Sequence, residues 1–146
     1  MIVSPHHLSE LLQLLVDFGL LVLIWMVQLL IYPSFLHFER EGLRHWHVIY
    51  TKKITVIVAP MMIIQIVLAA YNIIVMDHFE TIKIIHGLLV LSTWLLTMMV
   101  FVPLHQRIDA QEDNTSECLN LVKQNWWRVL QWNLVFFLQL VYFLSL

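Results

Sequence analysis

The chain has 146 residues, 60% of them hydrophobic and 12% charged, where an ordinary soluble domain carries about 25% charged residues. A net charge of -2 gives no nucleic-acid signal, and the single cysteine, Cys118, excludes an internal disulfide or a paired-Cys metal motif. Nor is there the alternation of polar and apolar residues that a membrane β-barrel needs, since Leu20 to Ile31 is almost continuously apolar.

Four charge-free runs follow one another: Phe18 to Phe38 (21 residues), Ile54 to Met76 (23), Ile84 to Gln106 (23) and Val129 to Leu146 (18). A helix rising about 1.5 Å per residue needs about 20 apolar residues to cross a roughly 30 Å hydrocarbon layer. The expected fold is therefore all-α, a single integral membrane four-helix bundle with helices over about 9–38, 44–76, 81–107 and 118–146. Met1 to Glu39 contains no Lys or Arg, so the basic region of a cleavable signal is absent and helix 1 is expected to stay.

In helix 1, Asp17, Gln28 and Glu39 recur every eleven residues and form one polar stripe at 100° per residue. Pro33 falls near its end. In helix 2, His47 and Gln65 lie five turns apart on one face, with Tyr50, Thr51, Pro60 and Asn72. His45 and His47 cannot face the same groove. Helix 3 carries His86, Trp94, Pro103 and His105, and Asp17 and His86 are placed to pair in the outer half. The stretch Asp109 to Glu117 reads as a solvated connector, with Thr115 or Ser116 capping helix 4. In helix 4, Asn125, Trp132 and Gln139 are at heptad spacing, and Arg128 lies one turn from Asn125. Polar side chains of this kind also simply glue membrane helices together, which is the structural reading of Gln28, Gln65, Asn72 and Gln139.

Seven of the eight basic residues (Arg40, Arg44, Lys52, Lys53, Arg107, Lys123, Arg128) flank the 1–2 and 3–4 connections, and Lys83 alone lies on the other side. The positive-inside rule puts those connections in the cytoplasm and both termini outside. The same layer holds His37, Glu39, His45, His47, Tyr50, His105, Asn125 and Arg128. Imidazoles titrate near neutrality and are the commonest metal ligands, so the layer is the candidate site.

Three segments carry a resemblance: WMVQLLIYPSF from Trp25, HVIYTKKITVIVAP from His47, and VPLHQR from Val102 followed by NWWRVLQW from Asn125. They resemble small four-helix membrane proteins of bacteria, and the architecture is similar to the anthrone-oxygenase-like membrane family. Carried over position by position, the resemblance points to Gln28, Tyr32, Pro33, His47, Pro60, His105, Asn125, Trp126 and Arg128. It implies the bacterial inner membrane. The family often has a second histidine where this chain has Tyr50 and a glutamate where it has Gln65. A looser likeness to the membrane protoporphyrinogen oxidases would involve His37 and Lys83.

The leading expectation is an intramembrane oxidoreductase, or an oxygenase as the resemblance alone implies, acting on an aromatic or lipidic small molecule. His47, His105, Tyr50 and Arg128 are its candidate catalytic groups. Trp94, Trp126 and Trp132, with Asn125, Gln28 and Gln65, are the candidate binding residues. A metal held by His47, His105, Glu39 and His37 would be copper, iron or zinc. The alternatives are a non-enzymatic binder of haem, porphyrin or a metal ion, and a structural accessory subunit. The expected partners are membrane lipids and the lipophilic ligand, and a homo-oligomer stays open, since no small-x-x-x-small motif marks a dimer face.

Overall fold

The computed structural model describes residues 5–75, 80–110 and 115–146, and among these there is no strand. Four helical rods make up most of the described residues: α1 (Pro5–His37), α2 (Arg40–Ile74), α3 (Thr81–Ala110) and α4 (Thr115–Leu144). Each is long and apolar enough to cross a membrane. The rods extend beyond the charge-free runs, burying charged residues such as Glu10 and Arg128 in the bundle, and α1 and α4 start at Pro5 and Thr115, a few residues before the expected 9 and 118. The expected end of helix 2 at 76 lies outside the described residues.

Each helix packs on its sequence neighbours, and α4 closes the ring against α1. Gly19 and Gly87 set two of the close approaches. A Cβ at Gly19 would stand 2.6 Å from Met61 Cε, and one at Gly87 would stand 2.7 Å from Ile73 Cδ1. The outer faces are apolar, as at Val56, Leu30 and Met99, and suit lipid tails.

Two helices handle their prolines in the same way. Proline has no N–H and its ring collides with the carbonyl four residues back. Before Pro33 the helix widens into a π turn, Val27–Ile31, closed by Tyr32 N–H donating to Val27 O. Before Pro103 it widens at Thr97–Phe101, where Val102 N–H donates to Thr97 O. Pro60 is carried inside α2 without such a turn. The extra residue in α1 and the helix end at His37 take Glu39 off the expected stripe. Asp17 and Gln28 are buried, whereas Glu39 is exposed in the connection.

Polar side chains stack in tiers, which is how buried polar groups in a membrane bundle find partners. At the end holding both termini, each helix contributes one group. Lys83 Nζ lies 2.8 Å from Glu10 Oε1 and donates to Asn72 O at 3.4 Å, and Gln139 Nε2 donates to Glu10 Oε2 at 2.8 Å. Lys83, the lone basic residue at this end, is thus neutralised by a buried carboxylate. One tier inward, Asp17 accepts from Gln13 Nε2 (3.0 Å), Gln65 Nε2 (2.6 Å) and His86 Nε2 (2.8 Å). The expected Asp17–His86 pair is therefore formed. Near the opposite, basic end, Asn125 Nδ2 donates to Gln28 Oε1 at 2.9 Å, and Gln28 Nε2 to Val122 O at 3.3 Å.

Candidate functional site: a histidine relay beside an apolar cavity

At the basic end α1, α2 and α3 bring together four side chains from distant parts of the sequence. Tyr32 Oη is 3.1 Å from His105 Nε2, His105 Nδ1 is 2.9 Å from His47 Nε2, and His47 Nδ1 is 2.6 Å from Asp109 Oδ1. The order of the atoms fixes the protons when Asp109 is ionised and the imidazoles are neutral. A carboxylate only accepts, so His47 carries its hydrogen on Nδ1 and accepts at Nε2. His105 then donates from Nδ1 and accepts at Nε2 from the Tyr32 hydroxyl. All hydrogens point from Tyr32 toward Asp109.

Local sequence explains the placement. The π turn before Pro33 turns Tyr32 and Phe35 inward, and both are buried. Phe35 contacts Tyr32, His47 and Tyr50 with ring centroids 5.9, 5.3 and 5.4 Å away. It fixes the planes of the ring groups around it. On α3, His105 and Asp109 are four residues apart and so lie on one face. His47 is fully buried, whereas the Asp109 side chain keeps 33% exposure, so the relay runs from the bundle interior to the surface.

Beside the relay is a cavity of about 360 Å³. Its walls are mostly apolar, including Leu20, Ile24, Ile54 and Phe101, with Tyr32, Tyr50, His105, Asp109 and Arg128 at the polar side and Trp94 and Trp132 in the wall. This size and lining fit a small lipophilic ligand. Arg128 is buried well inside α4, not at its end as the basic-residue count assumed. Its guanidinium stands over the Phe101 ring, 4.5 Å from the centroid. It is near enough for its charge to act on Tyr32, Tyr50 and His105.

Of the expected site residues, His47, His105, Tyr50, Arg128, Trp94 and Trp132 gather at the relay and cavity. Trp126 does not. It is exposed and meets Trp25 edge-on at 5.9 Å. Gln28 and Asn125 hold α1 to α4, and Gln65 serves Asp17 in the other half of the bundle. His37, Glu39 and His45 are exposed. Among the described residues no three or more His, Cys, Asp or Glu side chains are placed to hold a metal ion. The two imidazole nitrogens at 2.9 Å are at hydrogen-bond distance, whereas two ligands on one tetrahedral zinc would stand about 3.3 Å apart. The likeness involving His37 and Lys83 also finds no common site, because the two lie at opposite ends of the bundle.

Sequence reading missed Asp109, which belongs to α3 and not to a connector, and gave no special role to Phe35. The i, i+4 spacing of His105 and Asp109 was the available signal. No family model, curated protein or solved structure matches the chain.

Proposed function

We propose that the protein is an intramembrane enzyme of the oxidoreductase or oxygenase type that exchanges a proton with a lipophilic or aromatic small molecule held in the cavity. The observation that supports the proton exchange is the hydrogen-bond chain Tyr32–His105–His47–Asp109, which joins the cavity to a partly exposed carboxylate; the oxygenase class rests on the resemblance in motif alone. A ligand proton passing to Tyr32 Oη lets the tyrosine hydrogen move to His105 Nε2. The His105 Nδ1 hydrogen moves to His47 Nε2, and that of His47 Nδ1 to Asp109, which returns it to water. No imidazole needs to hold a net charge at either end of the transfer. General acid–base groups positioned in this way contribute roughly 10²- to 10⁴-fold to a rate. The basic connections favour a cytoplasmic position for this end with both termini outside, and the resemblance in motif favours a bacterial inner membrane.

Binding of haem or a porphyrin has less support. His105 Nε2 and Nδ1 are both engaged, by Tyr32 and His47, so axial ligation would cost a buried hydrogen bond. The test is proton exchange without any redox partner. Protein in vesicles is incubated in heavy water with a series of long-chain alkyl aryl ketones, and deuterium at the carbon beside the carbonyl is read by mass spectrometry. Exchange faster than that of His105→Gln protein is expected, and equal exchange across the series would overturn the reading.

A further inference from the structure

The cavity is not sealed from the sides of the bundle. Four of its lining residues, Thr55 on α2 and Met98, Val102 and Gln106 on α3, are also exposed on the outer surface. The opening therefore lies between α2 and α3. From Met98 to Gln106 it extends for about 12 Å along the helix. Its position follows from the sequence, because the π turn Thr97–Phe101 swells α3 at this level and displaces it from an ideal helical path. Met98 is 53% and Val102 38% exposed, so the middle of the rim is apolar and suits lipid tails, with Thr55 and Gln106 as its polar members.

Inside the opening the cavity wall holds donors without acceptors. Arg128 Nε, Trp94 Nε1 and Trp132 Nε1 are buried and lack hydrogen-bond partners. Among the described residues no carboxylate lies within ion-pair distance of Arg128. The contrast with the other end of the bundle is informative, since the buried Lys83 has Glu10 at 2.8 Å. A buried cation in a membrane protein needs an anion or another strong compensating partner. The Phe101 ring supplies only part of that compensation.

We propose that the cavity takes a membrane-dissolved weak acid, an amphiphile with one long tail and a small ionisable oxygen head, which enters laterally between α2 and α3 and is held as its oxyanion by Arg128. The neutral acid is the form that partitions into lipid and passes the apolar rim. In the cavity its O–H bond breaks, the proton leaves through Tyr32, His105 and His47 to Asp109, and the electron pair stays on the head oxygen facing Arg128. Trp94 and Trp132 N–H groups stand beside that position as further donors, and the tail lies along Ile54 and Met98 toward the opening. This rests on the proposed proton exchange only for the exit of the proton. The binding site stands on Arg128, whose Nε lacks a partner and which has no carboxylate beside it among the described residues, and on the lateral opening.

The test is electron paramagnetic resonance on full-length protein in phosphatidylcholine vesicles, with doxyl-labelled stearic acid and its methyl ester as probes. The acid is expected to show an immobilised component several-fold larger than the ester. Arg128→Gln should reduce it to the ester level, and Met98→Trp, at an exposed position that leaves the core intact, should reduce it by blocking the rim. Unlabelled hexadecanoic acid and unlabelled pentadecylphenol then compete with the probe, and displacement by one of them identifies a carboxylate or a phenolate head. Equal immobilisation of acid and ester, or an unchanged acid signal in Met98→Trp, would overturn the proposal. Deuterium exchange into the ketones persisting alongside such a result would leave the acid–base function standing and remove only this ligand class.

Discussion

His47 Nε2 lies 2.9 Å from His105 Nδ1, so the two imidazoles share a single hydrogen and a substitution at either one removes the partner of the other. Asp109 orders both rings, because its carboxylate accepts only and thereby selects the His47 tautomer. In Asp109→Asn the amide can donate to His47 Nδ1 instead, and the whole chain is free to reverse. The expected outcome is a fall in proton exchange of about 10²-fold with the helical content unchanged. Isotope-labelled imidazole NMR checks the cause. Both histidines should carry Nδ1–H in the native protein and show mixed tautomers in the variant. Unchanged tautomers would disprove the role assigned to Asp109.

Asp17 is fully buried and satisfies three donors, Gln13, Gln65 and His86. Removing one partner from a buried polar cluster leaves the others with their full desolvation cost. Asp17→Ala is expected to destabilise the fold by about 3 kcal/mol or more, whereas Asp17→Asn, which keeps an acceptor, should cost less. Unfolding in mixed detergent micelles measures both. Equal stability of the two variants would show that the donors find other partners.

The spans and their inward faces were legible in the sequence because a membrane helix advertises its length in apolar residues and its packed face in the polar ones. Asn125, Arg128, Trp132 and Gln139 are all buried along α4, as their spacing implied. His45 and His47 divide between surface and interior for the same reason. The composition of the site was less legible. Glu10, Gln13 and Asp109 lie outside the charge-free runs, and a run counted by charge ends where a charge occurs, even when the helix buries it. The Glu39 stripe failed because 3.6-residue periodicity cannot anticipate a π turn. Which polar face meets which also depends on tertiary packing, so Gln65 could be placed on the face of His47 without revealing that its partner is Asp17.

Gly19 tests how closely α1 and α2 must approach. The atom that a new Cβ would meet is Met61 Cε, the end of a flexible side chain. Gly19→Ala is therefore expected to be nearly neutral, within about 1 kcal/mol, since replacing glycine inside a helix gains roughly that amount in propensity while Met61 shifts. Gly19→Leu cannot be absorbed by one methyl shift and should push the helices apart, lowering stability by several kcal/mol. The two unfolding curves decide this, and an Ala variant as damaged as the Leu variant would mean that the backbone contact itself is rigid.

Gln28 and Asn125 separate a structural role from a ligand-binding one. The two amides bond each other at 2.9 Å, and Gln28 also reaches Val122 O, so both act across the α1–α4 interface and neither lines the cavity. A double-mutant cycle with Gln28→Leu and Asn125→Leu should give a coupling energy of about 0.6–1.7 kcal/mol, the range of interhelical hydrogen bonds in membranes. The double variant should retain the acid-selective immobilisation of the labelled fatty acid, because Arg128 and the opening between α2 and α3 are untouched. If that signal is lost while the variant remains folded, the amide pair belongs to the ligand site and the cavity extends farther toward α4 than its present walls indicate.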